Sequence, residues 1–149
     1  MGLIKDLIDP AFKERTVWVK YLDDFEIELR PMPRTEMVRM VERCTSKTWD
    51  KKTHLPVEKI NSDLYVKEFV ERGIVGWRGL KQKTLAKMLP IKILDSEAEI
   101  PFSPENAIEV MREAYDFDTF IRDAAMDISQ FQEEKDEAEL KNFESSQTG

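Results

Sequence analysis

His54 and Cys44 are the chain's one imidazole and one thiol, and neither sits in a pattern that does chemistry. His54 lies in Lys-Lys-Thr-His-Leu-Pro, a run with the composition of a surface loop. Cys44 falls on the apolar face of a predicted helix, the usual setting of a buried, inert thiol. A zinc site needs about four N, S or O ligands, and two soft ligands in different elements do not supply it. Carboxylates are abundant, but no Asp-x-Asp-x-Asp-Gly calcium loop is present. Glu133, Glu134, Asp136, Glu137 and Glu139 read as a solvated acidic face. Glycine-rich phosphate loops and the Gly-x-Ser-x-Gly nucleophile turn are also missing. The expectation is a non-enzyme with no catalytic residue, cofactor or metal. A small hydrolase built on two carboxylates is the enzymatic alternative, and no pair singles itself out for that role.

The informative spacing is structural. Ile74-Val75-Gly76-Trp77-Arg78-Gly79-Leu80 is a short apolar strand with a tryptophan between two glycines, preceded by Gly73. A spacer leads to Ile100-Pro101-Phe102-Ser103-Pro104-Glu105-Asn106. Ser103 is suited to cap a helix, its hydroxyl accepting from a backbone N–H two or three residues on. Pro104 then falls at the first helical position, where its missing N–H is not needed. Asn106 is placed to reach back toward the Ser103 backbone, and Phe102 and Ile108 stand where a hydrophobic staple forms. Gly76 and Gly79 let a neighbouring backbone approach or the strand bend. Trp77 and Phe102 are expected in the core.

The elements that must position this segment follow from periodicity. Thr16 to Tyr21 and Phe25 to Arg30 read as a β-hairpin around Asp23-Asp24, with Phe25, Ile27 and Leu29 on one face. A helix is predicted from about Thr35, its cap, to Cys44. Residues 45–61 read as loop with one short strand. Asn61 or Ser62 caps the next helix, which buries Tyr65, Val66, Phe69 and Val70 and stops at Gly73. Within 81–99, Leu85, Met88 and Leu89 predict a helical turn ended by Pro90, and Ile91, Ile93 and Leu94 read as strand. The helix after Ser103 buries Ala107, Ile108, Met111, Ala114 and Tyr115. A last helix starting at Asp116 or Asp118 carries the stripe Phe117, Phe120, Ile121, Ala124, Ile128 and Phe131. Before all of these, residues 3–13 form a short amphipathic stretch broken by Pro10. The fold class is α+β: a small antiparallel sheet, made of the N-terminal hairpin plus the strand at 74–80, packs against four to five helices. A C-terminal helix pair and an acidic tail follow it. A single domain is expected over 1–143, with 144–149 a flexible C-terminal tail.

With 149 residues the chain is long enough to bury one core. No run approaches the roughly 20 apolar residues of a membrane span, and the first residues lack the apolar stretch of a signal peptide. The lone cysteine excludes an internal disulfide and fits a reducing compartment. A cytoplasmic protein without membrane contact is the expectation. The net charge of −7 is unevenly spread. Residues 1–94 hold 19 Lys and Arg against 14 Asp and Glu, a balance of +5, whereas residues 95–149 hold 4 against 16, a balance of −12. The acidic half repels phosphate backbones, so nucleic acid is not an expected partner. Opposite signs on the two halves allow head-to-tail self-association that salt weakens, or two independently solvated surfaces.

The two-part motif resembles that of the tail assembly chaperones of long-tailed bacteriophages and prophages. The resemblance is best from Gly73 to Met126 and rests on Gly73, Val75, Gly76, Trp77, Gly79, Pro101, Phe102, Ser103, Glu105 and Asn106. It implies a protein of the bacterial host's cytoplasm that binds the tape measure protein, keeps it soluble and helps recruit tail tube protein. It also implies departure before the virion matures. Related sequences often join the two halves of the motif by a short acidic turn. Here the link is about 20 residues and starts basic, with Lys81, Lys83 and Lys87. A host-derived adaptor or regulatory protein-binding module of similar make-up is the alternative from another class.

Overall fold

Val17 and Val19, and across from them Ile27 and Leu29, alternate with polar residues, so two short strands each offer one apolar face to a core. In the computed structural model, which describes residues 3–132, β1 (Val17–Lys20) and β2 (Glu26–Leu29) pair antiparallel with Val19 opposite Ile27. β5 (Ile74–Arg78) joins the other edge of β2, giving the order β1-β2-β5. The sheet is therefore the hairpin plus the tryptophan strand, as the sequence predicts. Ile74 lies opposite Leu29 and Gly76 opposite Glu28, which leaves Val75 as an extra residue on β5. This bulge matters for the face pattern. Strict alternation puts Ile74 and Trp77 on opposite faces, and the one-residue insertion turns both inward, where both are buried.

Helices cover the inner face. α2 (Arg34–Arg43) buries Met37 and Met40, and Cys44 follows at its end. It starts one residue before Thr35: Pro33 takes the cap position, with no side-chain hydrogen bond. α3 (Ser62–Gly73) is capped by Asn61, whose side chain accepts from the Leu64 N–H at 3.1 Å. Gly73 ends it inside the helix, and the chain passes straight into β5 through Ile74 in extended conformation. α5 (Pro104–Glu113) packs on α3 and on α6 (Tyr115–Met126). Ala114 is the hinge between the pair and caps α6, ahead of the predicted start, and this throws Tyr115 into solvent. Residues 128–132 are helical again and bring Phe131 into the core. The backbone N–H of Met32 donates to Ala125 at 2.7 Å, tying the exit from β2 to α6.

Two regions differ from expectation. Residues 45–60 form a second, separate hairpin, β3 (Thr45–Trp49) and β4 (Pro56–Ile60), paired from Thr45–Ile60 to Trp49–Pro56. Both its faces are solvated, so it has no apolar alternation for a sequence reading to find. Residues 91–94 form no strand. The 81–99 link holds a single helical turn, α4 (Gln82–Leu85), and one isolated bridge, Lys81 with Glu99. Ahead of the sheet, α1 (Leu3–Leu7) and a 3₁₀ turn at Pro10–Glu14 occupy the amphipathic N-terminal stretch. The acidic run 133–139 and the tail 144–149 lie outside the described residues. Among the described residues no helix is long and apolar enough to cross a membrane.

Candidate functional site: a motif clasp and two uncovered apolar elements

The motif residues meet in space. The Trp77 indole N–H donates to the Ile100 carbonyl at 2.9 Å, and Phe102 packs edge-on against the same indole with ring centroids 5.2 Å apart. Beside them the Ile100 N–H donates to the Leu80 carbonyl at 2.7 Å. The two motif halves thus close the neck of the 81–99 link, which leaves and re-enters the fold at one point. From the clasp an aromatic chain runs through the core. Trp77 meets Phe25 edge-on, Phe25 stacks on Phe117, and Tyr21 contacts Phe117 and Phe120. Trp77 is buried and Phe102 only half-buried, because Phe102 forms the outer side of the clasp.

Each remaining motif residue has a local task. The Ser103 hydroxyl accepts from the Asn106 N–H at 3.0 Å with Pro104 at the first helical position, so the capping reading holds. The Asn106 side chain donates to the Pro101 carbonyl at 3.0 Å and not to Ser103. That bond fixes the turn before the cap. Glu105 is exposed in the first turn of α5, where a carboxylate suits the positive end of the helix. The two glycines do different things. Gly79 has φ +75°, and a Cβ there would lie 2.1 Å from the Asp24 carbonyl oxygen. Gly76 has open space around its Cβ position and sits instead beside the bulge. Gly73 and Val75 complete the strand entry and the bulge. The ten residues thus lie in the strand entry, the bulge, the clasp and the helix cap.

The basic link is tied down by carboxylates. Lys81 and Lys83 both donate to Glu97, at 2.8 and 2.7 Å, and they hold its carboxyl at about 2. Asp23, in the β1–β2 turn with φ 51°, accepts from Lys87 at 2.9 Å and from the buried Thr84 hydroxyl at 3.0 Å. Those bonds draw the Asp23 carboxyl below its ordinary range. A recess of about 510 Å³ opens among Lys20, Asp23, Lys81, Lys83 and Lys87. Three of its four lysines are already paired, so it presents little net charge to an anion. Sequence reading missed Asp23 as the anchor because its partners lie more than sixty residues away.

The lone thiol and the lone imidazole lie in different parts of the fold. Cys44 is buried with Sγ 3.9 Å from Glu68, and burial first, then the Glu68 charge, pushes the thiol up and away from thiolate. His54 occupies the left-handed region, φ 55°, in the exposed turn of the second hairpin. Among the described residues no three His, Cys, Asp or Glu side chains group to hold a metal ion. A further recess of about 390 Å³ between α3, α5 and α6 holds the Asp118–Arg122 pair at 2.6 Å. Burial raises the Asp118 carboxyl there against the pull of Arg122.

What the fold leaves uncovered is apolar. Leu3, Ile4, Leu7 and Ile8 share one face of the N-terminal turn and are 65–76% exposed. A groove of about 610 Å³ continues this face past Phe12, Pro33 and Ile128. On the second hairpin Trp49 is 73% exposed, with Leu55, Val57 and Ile60 also in solvent. The family model of the YdaY prophage protein matches residues 20–142, from β1 past the last described helix. The chain belongs to the YdaY prophage protein family. No curated protein and no solved structure matches it. The matched span contains the clasp, the aromatic chain and the second hairpin, whereas α1 and its exposed face precede it.

Proposed function

We propose that this prophage protein is a tail assembly chaperone that binds the tape measure protein, keeps it soluble and helps recruit tail tube protein, acting by binding and not by turnover. The observation that carries the reading is the exposed apolar face of Leu3, Ile4, Leu7 and Ile8 running into the groove beside Phe12 and Ile128. An amphipathic helix docks in such a groove by its apolar stripe, and a tape measure protein is a long succession of helical stripes. Membership in a prophage family supports a phage-assembly role over the host-derived adaptor. The resemblance of the Trp77 and Phe102–Asn106 motif to tail assembly chaperones supports it further. The cytoplasm of the host is where such binding would take place. Co-expression with the prophage's tape measure protein should raise the soluble yield of that protein, and Leu7→Ser with Ile8→Ser should abolish the gain while leaving the melting temperature unchanged. Equal yields with and without this chain would overturn the proposal.

A further inference from the structure

The β3–β4 hairpin is an arm without a core of its own. From Ser46 to Lys59 every residue is exposed apart from the partly covered Asp50, and a two-stranded hairpin in water is marginal unless something covers it. Its tip is nevertheless well built. The Lys52 N–H donates to the Asp50 carboxylate at 2.8 Å, the Asp50 N–H to the Leu55 carbonyl at 2.9 Å and the His54 N–H to the Asp50 carbonyl at 2.9 Å. Trp49 stands at the root of this turn opposite Pro56, with Lys51 and Lys52 just beyond it. Among the described residues Lys51 and Lys52 make no ion pair, and the arm as a whole carries four lysines against Asp50 and Glu58. An exposed tryptophan flanked by unpaired lysines fits an acidic surface with an apolar centre, where the indole is covered and its N–H finds a carboxylate.

Such a surface lies on the same chain at the α5–α6 junction. Residues 95–132 carry ten Asp and Glu against Arg112 and Arg122. At the junction Tyr115 is 77% exposed between Glu113 and Asp116, neither of which pairs with a described residue. A recess of about 150 Å³ opens beside it, lined in part by Tyr21, Met88, Tyr115 and Asp116 together with Lys87, whose charge is already paired with Asp23. Trp49 and Tyr115 are both left in solvent, so the two surfaces do not meet within one molecule. We propose that the β3–β4 arm of one copy docks on the α5–α6 junction of a second copy, Trp49 against Tyr115 and Lys51 and Lys52 against Glu113 and Asp116. The arm of each copy meets the junction of the other, and this reciprocal, isologous pair of contacts closes a dimer. It does not depend on what α1 binds.

Sedimentation of the full chain tests it. The wild type should associate with rising concentration at about 0.1 M salt and dissociate at about 1 M, where the Debye length falls from about 10 to about 3 Å. Trp49→Ala should weaken association at least about tenfold, and Lys51→Glu with Lys52→Glu should leave a monomer. Glu113→Lys with Asp116→Lys should do the same from the other side. All five positions are exposed, and unchanged melting temperatures would show that the variants fold. Mixing the two charge-reversed variants restores unlike charges across the contact, so the mixture should associate where each alone does not. A wild type monomeric at every concentration, an oligomer untouched by these changes, or a mixture that stays monomeric would each overturn the proposal.

Discussion

Gly79 and Gly76 flank the same tryptophan, yet the physical demands on them differ. At Gly79 an L-residue meets two costs: a left-handed backbone and a Cβ driven to 2.1 Å from the Asp24 carbonyl oxygen and 2.9 Å from its carbon. The obstacle is backbone, so the β1–β2 turn itself must shift. Gly79→Ala should therefore destabilise by at least about 2 kcal/mol. Gly76→Ala meets no atom within 4 Å and restricts the unfolded chain, so its effect should lie between neutral and about 1 kcal/mol stabilising. Urea denaturation of the two variants checks the contrast, and equal losses would mean that the glycines share one role. The sequence shows that both positions are glycine but not which one carries the strain. That depends on Asp24, which is brought alongside only by the pairing of β2 with β5. Ser103, by contrast, is legible outright, because a cap and its Pro104 neighbour need nothing beyond their own helix.

Among the elements, the clasp explains how an unusually long link is tolerated within the motif. Trp77, Ile100 and Leu80 hold the neck shut, so residues 81–99 form a closed excursion, and Glu97 and Asp23 bind its lysines on the outside. The sheet order and the main helices could be read from periodicity because each has one buried face. In the link Leu85, Met88 and Leu89 do pack against the core, but its apolar Ile93 and Leu94 were misleading: both remain in solvent. The second hairpin was illegible for a related reason. Its turn is six residues long without an Asn-Gly or Asp-Gly pair, and its best signal was composition: Thr45, Thr48, Trp49, Val57 and Ile60 are all strand formers. The pairing of the link makes its stability acid-sensitive in a defined window. The Glu97 carboxyl is held at about 2, below its unfolded value of 4.5. A carboxyl lowered on folding contributes stability that is complete above the unfolded value and is lost as pH falls through the folded one. The protection of the link's amides, taken relative to their intrinsic exchange rate at each pH, should therefore fall between about pH 4.5 and about pH 2. Glu97→Gln should exchange faster already at neutral pH and lose most of that acid dependence. The same pH profile in both proteins would exclude Glu97 as the fastening group.

For the whole molecule, the structure separates what folds the chain from what is left to bind. The aromatic chain from Phe102 through Trp77, Phe25 and Phe117 to Phe120 joins the sheet to the α5–α6 pair and lies within the matched family span. The arm adds almost nothing to that core. Of its strand residues only Thr45 is even partly covered, and the Asn61 N–H donates to the Cys44 carbonyl at 2.8 Å across its base, joining α2 to α3 without it. Arg43 and Glu68, 3.3 Å apart, bridge the same two helices. Thr45 and Ile60 are directly paired, so the gap between them is that of neighbouring strands, and two residues in a tight turn can span it. Replacing residues 46–59 by Asn-Gly should leave a cooperative domain whose stability changes by less than about 1 kcal/mol, or about 2–4 °C in melting temperature for a chain of this size. Calorimetry of the shortened chain measures this directly. A fall of more than about 10 °C would mean that the arm is part of the core's cooperative unit. An unchanged midpoint would mean that folding does not require the fourteen excised residues, including an exposed tryptophan and four lysines. Contact with another surface would then be the remaining physical reason to carry them.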